Sequence, residues 1–262
     1  MRIDVDIAKH VRAAGRQFDL AIKFSADTTR LALYGPSGAG KTLTLQMLAG
    51  LVRPDKGRII VDDHTWFDAH QRVDVPPRGR RIGYVFQDYA LFPHWTVAQN
   101  VSSAFARGWP RSMSASQSRR VERMLISFDL ADIRDSYPSQ ISGGQRQRTA
   151  VARALVDRPR ILMLDEPFAA LDGMLKNRLR AELLAIQDHY DIPMILITHD
   201  PDDLTACADV VVSLDGGHVV AVAAGDRLTP LAAASEAAAE SVSMSADGFR
   251  LHRRSATAPQ GL

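Results

Sequence analysis

The chain has 262 residues, 46% of them hydrophobic and 24% charged, which is typical of one or two folded domains and excludes a disordered tail or a disulfide scaffold. Its formal net charge of +2 is too small a basic excess to predict a nucleic-acid partner. The longest apolar runs fall far short of the ~20 residues that cross a bilayer. Aspartates interrupt the N-terminal stretch where a signal peptide needs apolar residues, so export is not predicted. The single cysteine, Cys207, fits a reducing compartment.

Short apolar runs alternate with longer amphipathic segments along the first two-thirds of the chain, which predicts an α/β fold. A buried strand is predicted at 31–34, followed by a helix at 41–51, where the apolar side chains recur at helical spacing. Further strands are predicted at 58–61 and 82–86, and the Pro- and Gly-rich stretch 75–79 between them predicts a loop.

The pattern becomes helical between about residues 88 and 158, which predicts a helical subdomain inserted into the α/β core. Residues 226–262 are rich in alanine and serine and are predicted to form a short C-terminal tail. Strands are predicted again at 161–164, 194–197, 210–214 and, after a hairpin turn at 215–217, at 218–223.

Three smaller features receive structural interpretations. Arg78, Arg80 and Arg81 are interpreted as a solvated or phosphate-proximal surface and not as a nucleic-acid patch. The pair of aspartates at 62–63 predicts a hairpin turn and not a metal site. Cys207 lies in an apolar stretch and is predicted to be a small buried residue.

A phosphate-binding motif lies between the first predicted strand and helix, where eight residues match G-x-x-x-x-G-K-[ST]. Glycines let backbone N–H groups surround a phosphate, and the following helix N-terminus adds partial positive charge. Lys41 would supply a cation for the β- and γ-phosphates, and Thr42 a hydroxyl ligand for Mg²⁺; a glycine-rich turn that binds nothing is the alternative. The predicted ATP-binding residues are Gly35, Pro36, Ser37, Gly38, Ala39, Gly40, Lys41 and Thr42.

A second motif is the apolar strand 161–164, which delivers Asp165 and Glu166 at its C-terminal end. Ligands of open α/β sheets bind at that end of the strands. Asp165 is therefore a candidate Mg²⁺ ligand, directly or through water, and Glu166 a candidate general base that polarises an attacking water. A strand that merely ends in acids at a loop is the alternative.

Between these motifs the chain reads Ile-Ser-Gly-Gly-Gln at 141–145, and here it resembles the ATP-binding subunits of ABC transporters. Ser142 is a good N-cap for a helix that begins at the glycines, and its hydroxyl with the free N–H groups forms a second anion site. Ile141 stands where the family usually has leucine. The resemblance implies that four residues bind the ATP held by the other copy of a head-to-tail dimer: Ser142, Gly143, Gly144 and Gln145.

The resemblance covers about residues 1–225 and implies a complete ATP-binding domain. The implied fold is a P-loop NTPase of ABC type, with a RecA-like core, an N-terminal antiparallel β subdomain and a helical insertion subdomain. Gln87 is then a Mg²⁺ or water ligand with a catalytic role, Asp172 a dimer-contact residue at the ATP held in trans, and His199 a catalytic residue at the γ-phosphate. The implied cofactors are ATP and Mg²⁺.

The adenine contact is open, because the family usually places an aromatic residue upstream of the phosphate motif and residues 9–13 contain none. His10 and Phe18 are the candidates there. His10 lies within this segment and could stack on adenine, and Phe18 is the nearest aromatic residue beyond it.

The segment Tyr89–Trp95 places apolar and aromatic side chains in a predicted loop, and an exposed apolar patch commonly marks a protein partner. A loop folded back on its own core is the alternative. The resemblance implies that this segment receives the transmembrane permease subunits of an importer that also uses a periplasmic solute-binding protein. It also implies a peripheral position on the cytoplasmic face of the inner membrane.

The chain is most similar to the ATPase of molybdate importers, which implies ATP-driven import of molybdate or a related oxyanion. The alternatives are importers of sulfate, iron or polyamine type, or a soluble non-transport ABC ATPase. Molybdate-type ATPases usually continue into a small regulatory β-barrel. The 37 residues after Gly225 are too few for one, so we expect that barrel to be lacking.

Overall fold

The computed structural model of the chain describes residues 1–13, 16–105, 113–169 and 173–224. The predicted tail at 226–262 lies outside these residues. The strands are β1 (Arg2–Ala13), β2 (Arg16–Asp27), β3 (Arg30–Tyr34), β4 (Lys56–Val61), β5 (His64–Asp68), β6 (Val73–Asp74), β7 (Ile82–Val85), β8 (Ile161–Asp165), β9 (Met194–Thr198), β10 (Val210–Asp215) and β11 (His218–Ala224). The helices are α1 (Lys41–Ala49), α2 (Pro77–Arg80), α3 (Val97–Ser102), α4 (Ala115–Ser127), α5 (Gly143–Leu155), α6 (Gly173–Tyr190) and α7 (Pro201–Cys207), with short 3₁₀ turns at Ser103–Phe105, Ala131–Ile133 and Pro138–Gln140.

The described strands form one mixed sheet in the order β6-β5-β4-β1-β2-β11-β10-β3-β9-β8-β7. Its parallel half runs from β10 to β7. Its antiparallel half is built on the long β1–β2 pair and continues through β4, β5 and β6. The halves meet at β11, which pairs antiparallel with β10 and parallel with β2. The predicted α/β organisation and the hairpin at 215–217 are confirmed.

The parallel strands bring their C-terminal ends to one edge of the sheet. Every residue of β8 and of β9 is buried, as expected of parallel strands covered on both faces. Tyr34 at the end of β3 pairs with Thr198, and Asp165 at the end of β8 pairs with Ile197. The loops that follow these three strands therefore leave the sheet side by side.

The predicted helical insertion contains α3, α4 and α5, and it shares a core with the sheet. Val101, Leu125 and Val151 belong to the same buried cluster as Leu162 and Leu164 of β8. The boundaries at 88–158 and at 1–225 stay predictions.

The predicted loop at 75–79 and the predicted solvated arginines were wrong in one respect each. Pro77 begins the helical turn α2, because proline presets the φ angle of a first helical residue. The turn carries Arg80 inward, so that this side chain is 1% exposed. Its guanidinium donates hydrogen bonds to the carbonyls of Met47 and Leu48 at 2.7 and 2.8 Å.

Two smaller predictions hold. Asp62 and Asp63 form the turn between β4 and β5, both with positive φ, and Cys207 is fully buried. None of the described helices is both long and apolar enough to span a bilayer.

Candidate functional site

The phosphate motif forms the loop between β3 and α1. Gly35 and Gly40 have φ angles of 148° and 97°, which favour glycine. A Cβ on Gly35 would lie 2.1 Å from the carbonyl oxygen of Leu214, and one on Gly40 would lie 2.7 Å from Cδ1 of Leu20. The loop therefore requires glycine at both positions, as the motif predicts.

Lys41 begins α1 and folds back onto this loop. Its Nζ donates hydrogen bonds to the carbonyls of Gly35 at 2.7 Å and Pro36 at 2.9 Å, and the residue is 5% exposed. Burial lowers the pKa of Lys41, and the charges of Glu166 and Asp165 oppose that shift. A phosphate in the loop would offer the ammonium stronger, charged acceptors than the two carbonyls.

Thr42 and Asp165 meet beside the loop, where Thr42 Oγ1 donates to Asp165 Oδ1 at 3.1 Å. The Tyr84 hydroxyl donates to Asp165 Oδ2 at 3.4 Å. Burial raises the pKa of Asp165, and the charge of Glu166 raises it further, whereas the bonds from Thr42 and Tyr84 and the charge of Lys41 lower it. Tyr84 carries no sequence motif and was missed; burial and Asp165 raise its pKa, so it remains a neutral donor.

The oxygen atoms of Thr42 and Asp165 fit Mg²⁺ bound together with a nucleotide. Within the described ranges, no group of three or more His, Cys, Asp or Glu side chains could hold a metal ion. Mg²⁺ commonly takes one or two protein oxygens and completes its shell with waters and substrate phosphates. One hydroxyl and one buried carboxylate, 3.1 Å apart, are such a donor set.

The raised pKa of Asp165 predicts that Asp165→Asn stabilises the ligand-free fold at neutral pH. The folded state holds the proton of this carboxyl more tightly than the unfolded state does, so ionisation at neutral pH destabilises the fold. We expect a higher melting temperature for the variant at pH 7.5 and a gain that shrinks as the pH falls through the raised pKa. Thermal unfolding across pH measures this. The exposed Asp132→Asn serves as the control, and a variant melting below the wild type at pH 7.5 would contradict the account.

Glu166 and His199 come from two adjacent parallel strands and lie in contact. The backbone N–H of Glu166 donates to the carbonyl of Ile197 at 3.1 Å, which places the residue just beyond β8 with φ of 46°. Nδ1 of His199 lies 3.3 Å from Oε2 of Glu166. The Glu166 side chain is 17% exposed and that of His199 is 55% exposed, so both are accessible from the phosphate loop's edge of the sheet.

Gln87 lies two residues beyond the end of β7, which pairs in parallel with β8. It is exposed at the same edge of the sheet as Asp165 and Glu166. Within the described part of the chain, no hydrogen bond joins it to those two residues. Its role at a bound ion or water stays a prediction.

Ser142 caps α5 as predicted. Its Oγ accepts a hydrogen bond from the Gln145 N–H at 3.2 Å, and the Gln145 side chain accepts one from the Ser142 N–H at 2.8 Å. No hydrogen bond or ion pair of the described residues joins 142–145 to the phosphate loop of the same chain. Asp172 lies outside the described residues. The roles of these positions in trans stay predictions.

The segment Tyr89–Trp95 is partly buried and partly exposed. Tyr89 is 8% exposed and belongs to the core cluster, whereas Phe92 is 45% exposed and its ring lies 4.5 Å from that of Trp95. Arg153 of α5 donates to the carbonyls of Tyr89 and Ala90 at 2.6 and 2.7 Å. The predicted exposed patch therefore describes the Phe92 end of the segment, and the alternative of a loop folded onto the core describes the Tyr89 end. Arg153 belongs to no sequence motif, yet its two hydrogen bonds hold the backbone at the Tyr89 end.

Phe18 lies nearer to the phosphate loop than the other candidate for the adenine contact. A Cβ on Gly40 would lie 3.3 Å from Phe18 Cζ. His10 instead bonds to Asp19 through Nδ1 and accepts from Arg12 Nε at 2.9 Å. Phe18 is thus the aromatic ring beside the loop.

Residues 19–169 match the sequence profile described as "ABC transporter". The molybdenum import ATP-binding protein of Paramagnetospirillum magneticum is 37% identical over 219 residues, which cover 84% of this chain and 58% of that protein. The sulfate/thiosulfate import ATP-binding protein of Caulobacter vibrioides is 41% identical over 205 residues, covering 78% and 59%. The probable sulfate/thiosulfate import ATP-binding protein of Chlorella vulgaris is 40% identical over 199 residues, covering 76% and 81%. The chain thus spans about three-fifths of the length of the two bacterial relatives.

The fold has a solved counterpart. An ATP-binding cassette in a dimeric post-hydrolysis state, bound to ADP and phosphate, aligns with a TM-score of 0.69 at 26% identity. The alignment covers 86% of this chain and 98% of that one. This likeness confirms the fold class predicted from the sequence.

Proposed function

This chain belongs to the ABC transporter family, and on that premise we propose that it is the ATP-hydrolysing subunit of an importer for a tetrahedral oxyanion, with molybdate as the first candidate. One observation carries the ATPase part. Thr42, the adjacent pair Asp165 and Glu166, and His199 come from three separate parts of the sequence and converge beside the phosphate loop.

The chain's own residues bind and orient the nucleotide. The loop 35–42 surrounds the β-phosphate with backbone N–H groups, and Lys41 exchanges its two carbonyl acceptors for the β- and γ-phosphates. Thr42, Asp165 and Gln87 would hold Mg²⁺, which would neutralise charge on the phosphates.

Glu166 acts as the general base, and His199 lies beside it and contacts the γ-phosphate. The carboxylate accepts a proton from the water as the water oxygen attacks the γ-phosphorus, and the bond from that phosphorus to the β,γ-bridging oxygen breaks, so that ADP leaves and phosphate is formed. Nδ1 of His199, 3.3 Å from Glu166 Oε2, holds that carboxylate in place and leaves the other ring nitrogen for the phosphate.

Two copies of the chain form a head-to-tail dimer in this proposal. Residues 142–145 and Asp172 of one copy contact the ATP bound by the other, so hydrolysis requires dimer closure. The capped, exposed N-terminus of α5 supports this role, because its free N–H groups suit an anion. The related cassette of known structure is itself a dimer.

The partners of the dimer are permease subunits that contact the segment Tyr89–Trp95, and through them a periplasmic solute-binding protein. The exposed Phe92 ring, which packs against Trp95 in a tilted arrangement, supports a protein contact there. The dimer then sits peripherally on the cytoplasmic face of the inner membrane. No nucleic acid is involved.

The substrate class is drawn from relatives named for molybdenum and for sulfate or thiosulfate import. Sulfate is the second candidate. The Caulobacter relative named for sulfate/thiosulfate import has a higher identity than the molybdenum import protein, 41% against 37%, but it aligns with a smaller share of this chain, 78% against 84%. Iron- and polyamine-type importers and a soluble non-transport ATPase remain the alternatives.

Stimulation of ATP hydrolysis by oxyanions in the complex reconstituted with its permease and binding protein tests the proposal. We expect molybdate or tungstate to raise the rate and sulfate to have no effect; the reverse selects sulfate, and no response to any of the three overturns the oxyanion class.

Lys41→Met should weaken ATP binding about 10–100-fold, the loss of one or two charge-assisted hydrogen bonds. Equilibrium binding of a fluorescent ATP analogue measures the effect. The exposed Lys56→Met is the matched control and should bind as the wild type does. Unchanged affinity in Lys41→Met would remove this lysine from the nucleotide site.

A further inference from the structure

The loop that carries His199 is held from behind by buried side-chain bonds. Thr198 Oγ1 donates to Asp203 Oδ2 at 2.5 Å and accepts from the Asp200 N–H at 3.0 Å. Thr198 and Asp203 are 3% and 2% exposed. The residues on both sides of His199 are therefore joined to each other and to α7.

Helix α6 supplies the cations that complete this network. The guanidinium of Arg180 contacts Asp203 Oδ1 through Nε at 2.6 Å and through Nη2 at 2.5 Å, and its Nη1 donates to Asn177 Oδ1 at 2.8 Å. Lys176 pairs with Asp200. Arg180 is 7% exposed and Asp203 2%, so their contact is shielded from water.

The charges of the network balance. Two cations from α6 face two carboxylates that flank His199, Asp200 and Asp203. Burial opposes ionisation of Asp200, yet hydrogen bonds from Lys176 and the Asp202 N–H hold the pKa of its carboxyl below the usual value. Buried ion pairs of this kind add little net stability over apolar residues of the same size. Their geometric effect, a fixed loop, is then the more informative property.

His199 itself has few restraints. Its side chain is 55% exposed, and the one ion-pair partner that the described residues offer it is Glu166 at 3.3 Å. The direction of the ring therefore depends on the backbone of 198–200, which the network fixes.

We propose that Thr198, Asp203 and Arg180 are positioning residues that hold the imidazole of His199 against Glu166. The expected effect of this placement, fast ATP hydrolysis, rests on the proposed function. The placement of the His199 ring does not depend on that function, and it can be measured without turnover.

The placement is tested by NMR of the imidazole nitrogens in the full-length chain, with the His199 signals assigned from His199→Gln. Arg180→Lys keeps the charge but loses the planar two-point contact, and it does not touch His199. We expect shifted His199 signals in this variant. Arg30→Lys is the matched control, because Arg30 makes a similar contact with the other end of α6, to Gln187 and Asp188. Equal signals in Arg180→Lys and wild type would overturn the proposal.

The consequence is tested with Thr198→Val, which removes one hydroxyl at nearly constant volume. We expect kcat to fall about 10–100-fold while the Kd for ATP changes little. The melting temperature should also fall, because Asp203 Oδ2 and the Asp200 N–H each lose a partner, so the rate is measured well below it. Thr198→Ser should restore both the rate and the melting temperature. In a His199→Ala background Thr198→Val should cause no further loss. A multiplicative loss there would mean that Thr198 acts independently of His199. If His199→Ala alone is fully active, the proposed role of His199 fails, while the NMR result still decides the placement.

Discussion

Replacing Glu166 by glutamine is expected to abolish steady-state ATP hydrolysis while leaving ATP binding intact. Glutamine has the size of glutamate and can keep a hydrogen bond with His199, but it cannot accept a proton from water at neutral pH. Loss of a general base lowers a rate by about 10²–10⁴-fold. The Lys41, Thr42 and Asp165 contacts that would hold ATP are untouched by this substitution.

Phosphate release under saturating ATP measures the rate, and size-exclusion chromatography with ATP measures the dimer. Because closure is proposed to precede hydrolysis, Glu166→Gln should accumulate as an ATP-bound dimer, whereas wild type returns to the monomer as ATP is consumed. Glu122→Gln on α4, where the side chain pairs with Arg134, is the matched control and should behave as wild type. Undiminished hydrolysis in Glu166→Gln would assign the base elsewhere.

The parts of the site that the sequence predicts are those encoded in contiguous residues. The phosphate loop depends on local properties, the φ angles of Gly35 and Gly40 and the helix that starts at Lys41, so a short pattern is enough to identify it. The buried strands β8 and β9 are read from unbroken apolar runs for the same reason. Contact between Glu166 and His199 follows from their places after neighbouring parallel strands.

The parts that the sequence does not predict depend on partners far apart along the chain. Tyr84 reaches Asp165 only because β7 and β8 are paired in this register. Arg180 reaches Asp203 only because α6 packs on α7. Neither contact leaves a periodicity or a spacing in the sequence.

Arg80 illustrates the limit most clearly, since its charge and its neighbours Arg78 and Arg81 predict a solvated surface. The helical turn α2 rotates one of the three arginines inward and leaves the others at the surface. A pattern of charges does not contain that rotation. Two of the carbonyls that accept from Arg80 belong to α1, more than thirty positions earlier in the chain.

Removing the Arg80 guanidinium is expected to destabilise the fold strongly. The side chain donates to Met47 and Leu48 at the C-terminus of α1, and to the carbonyl of Val75 at 2.8 Å, and its carbon Cζ lies 5.6 Å from the Trp66 ring centre. Burial lowers the pKa of Arg80 to about 10, opposed by Asp74, so the group is still a cation at neutral pH. A cation at a helix C-terminus is favourable, because the last carbonyls of a helix lack N–H donors four residues further on. The Met47 carbonyl also accepts from the Gly50 N–H at 3.1 Å.

We expect Arg80→Met to lower the free energy of unfolding by about 3–5 kcal/mol, because the carbonyls of Leu48 and Val75 lose the Arg80 donor at about 1–3 kcal/mol each and that of Met47 loses one of its two donors. For a domain of this size that corresponds to a melting temperature lower by roughly 10 °C. Urea unfolding followed by circular dichroism measures the change. Arg80→Lys keeps the charge but not the several donors, so its stability should lie between those of the wild type and Arg80→Met.

Arg78→Met is the matched control, since Arg78 lies exposed on the same turn and its substitution should change stability by no more than about 0.5 kcal/mol. Helix α1 begins at the phosphate loop and ends beside Arg80, so substitutions at its two ends distinguish ATP binding from fold stability. Loss at Lys41 should weaken ATP binding with a near-normal melting temperature, whereas loss at Arg80 should lower the melting temperature, and saturating ATP should recover part of it. If Arg80→Met and Arg78→Met unfold at the same urea concentration, the carbonyl contacts of Arg80 contribute nothing to the fold.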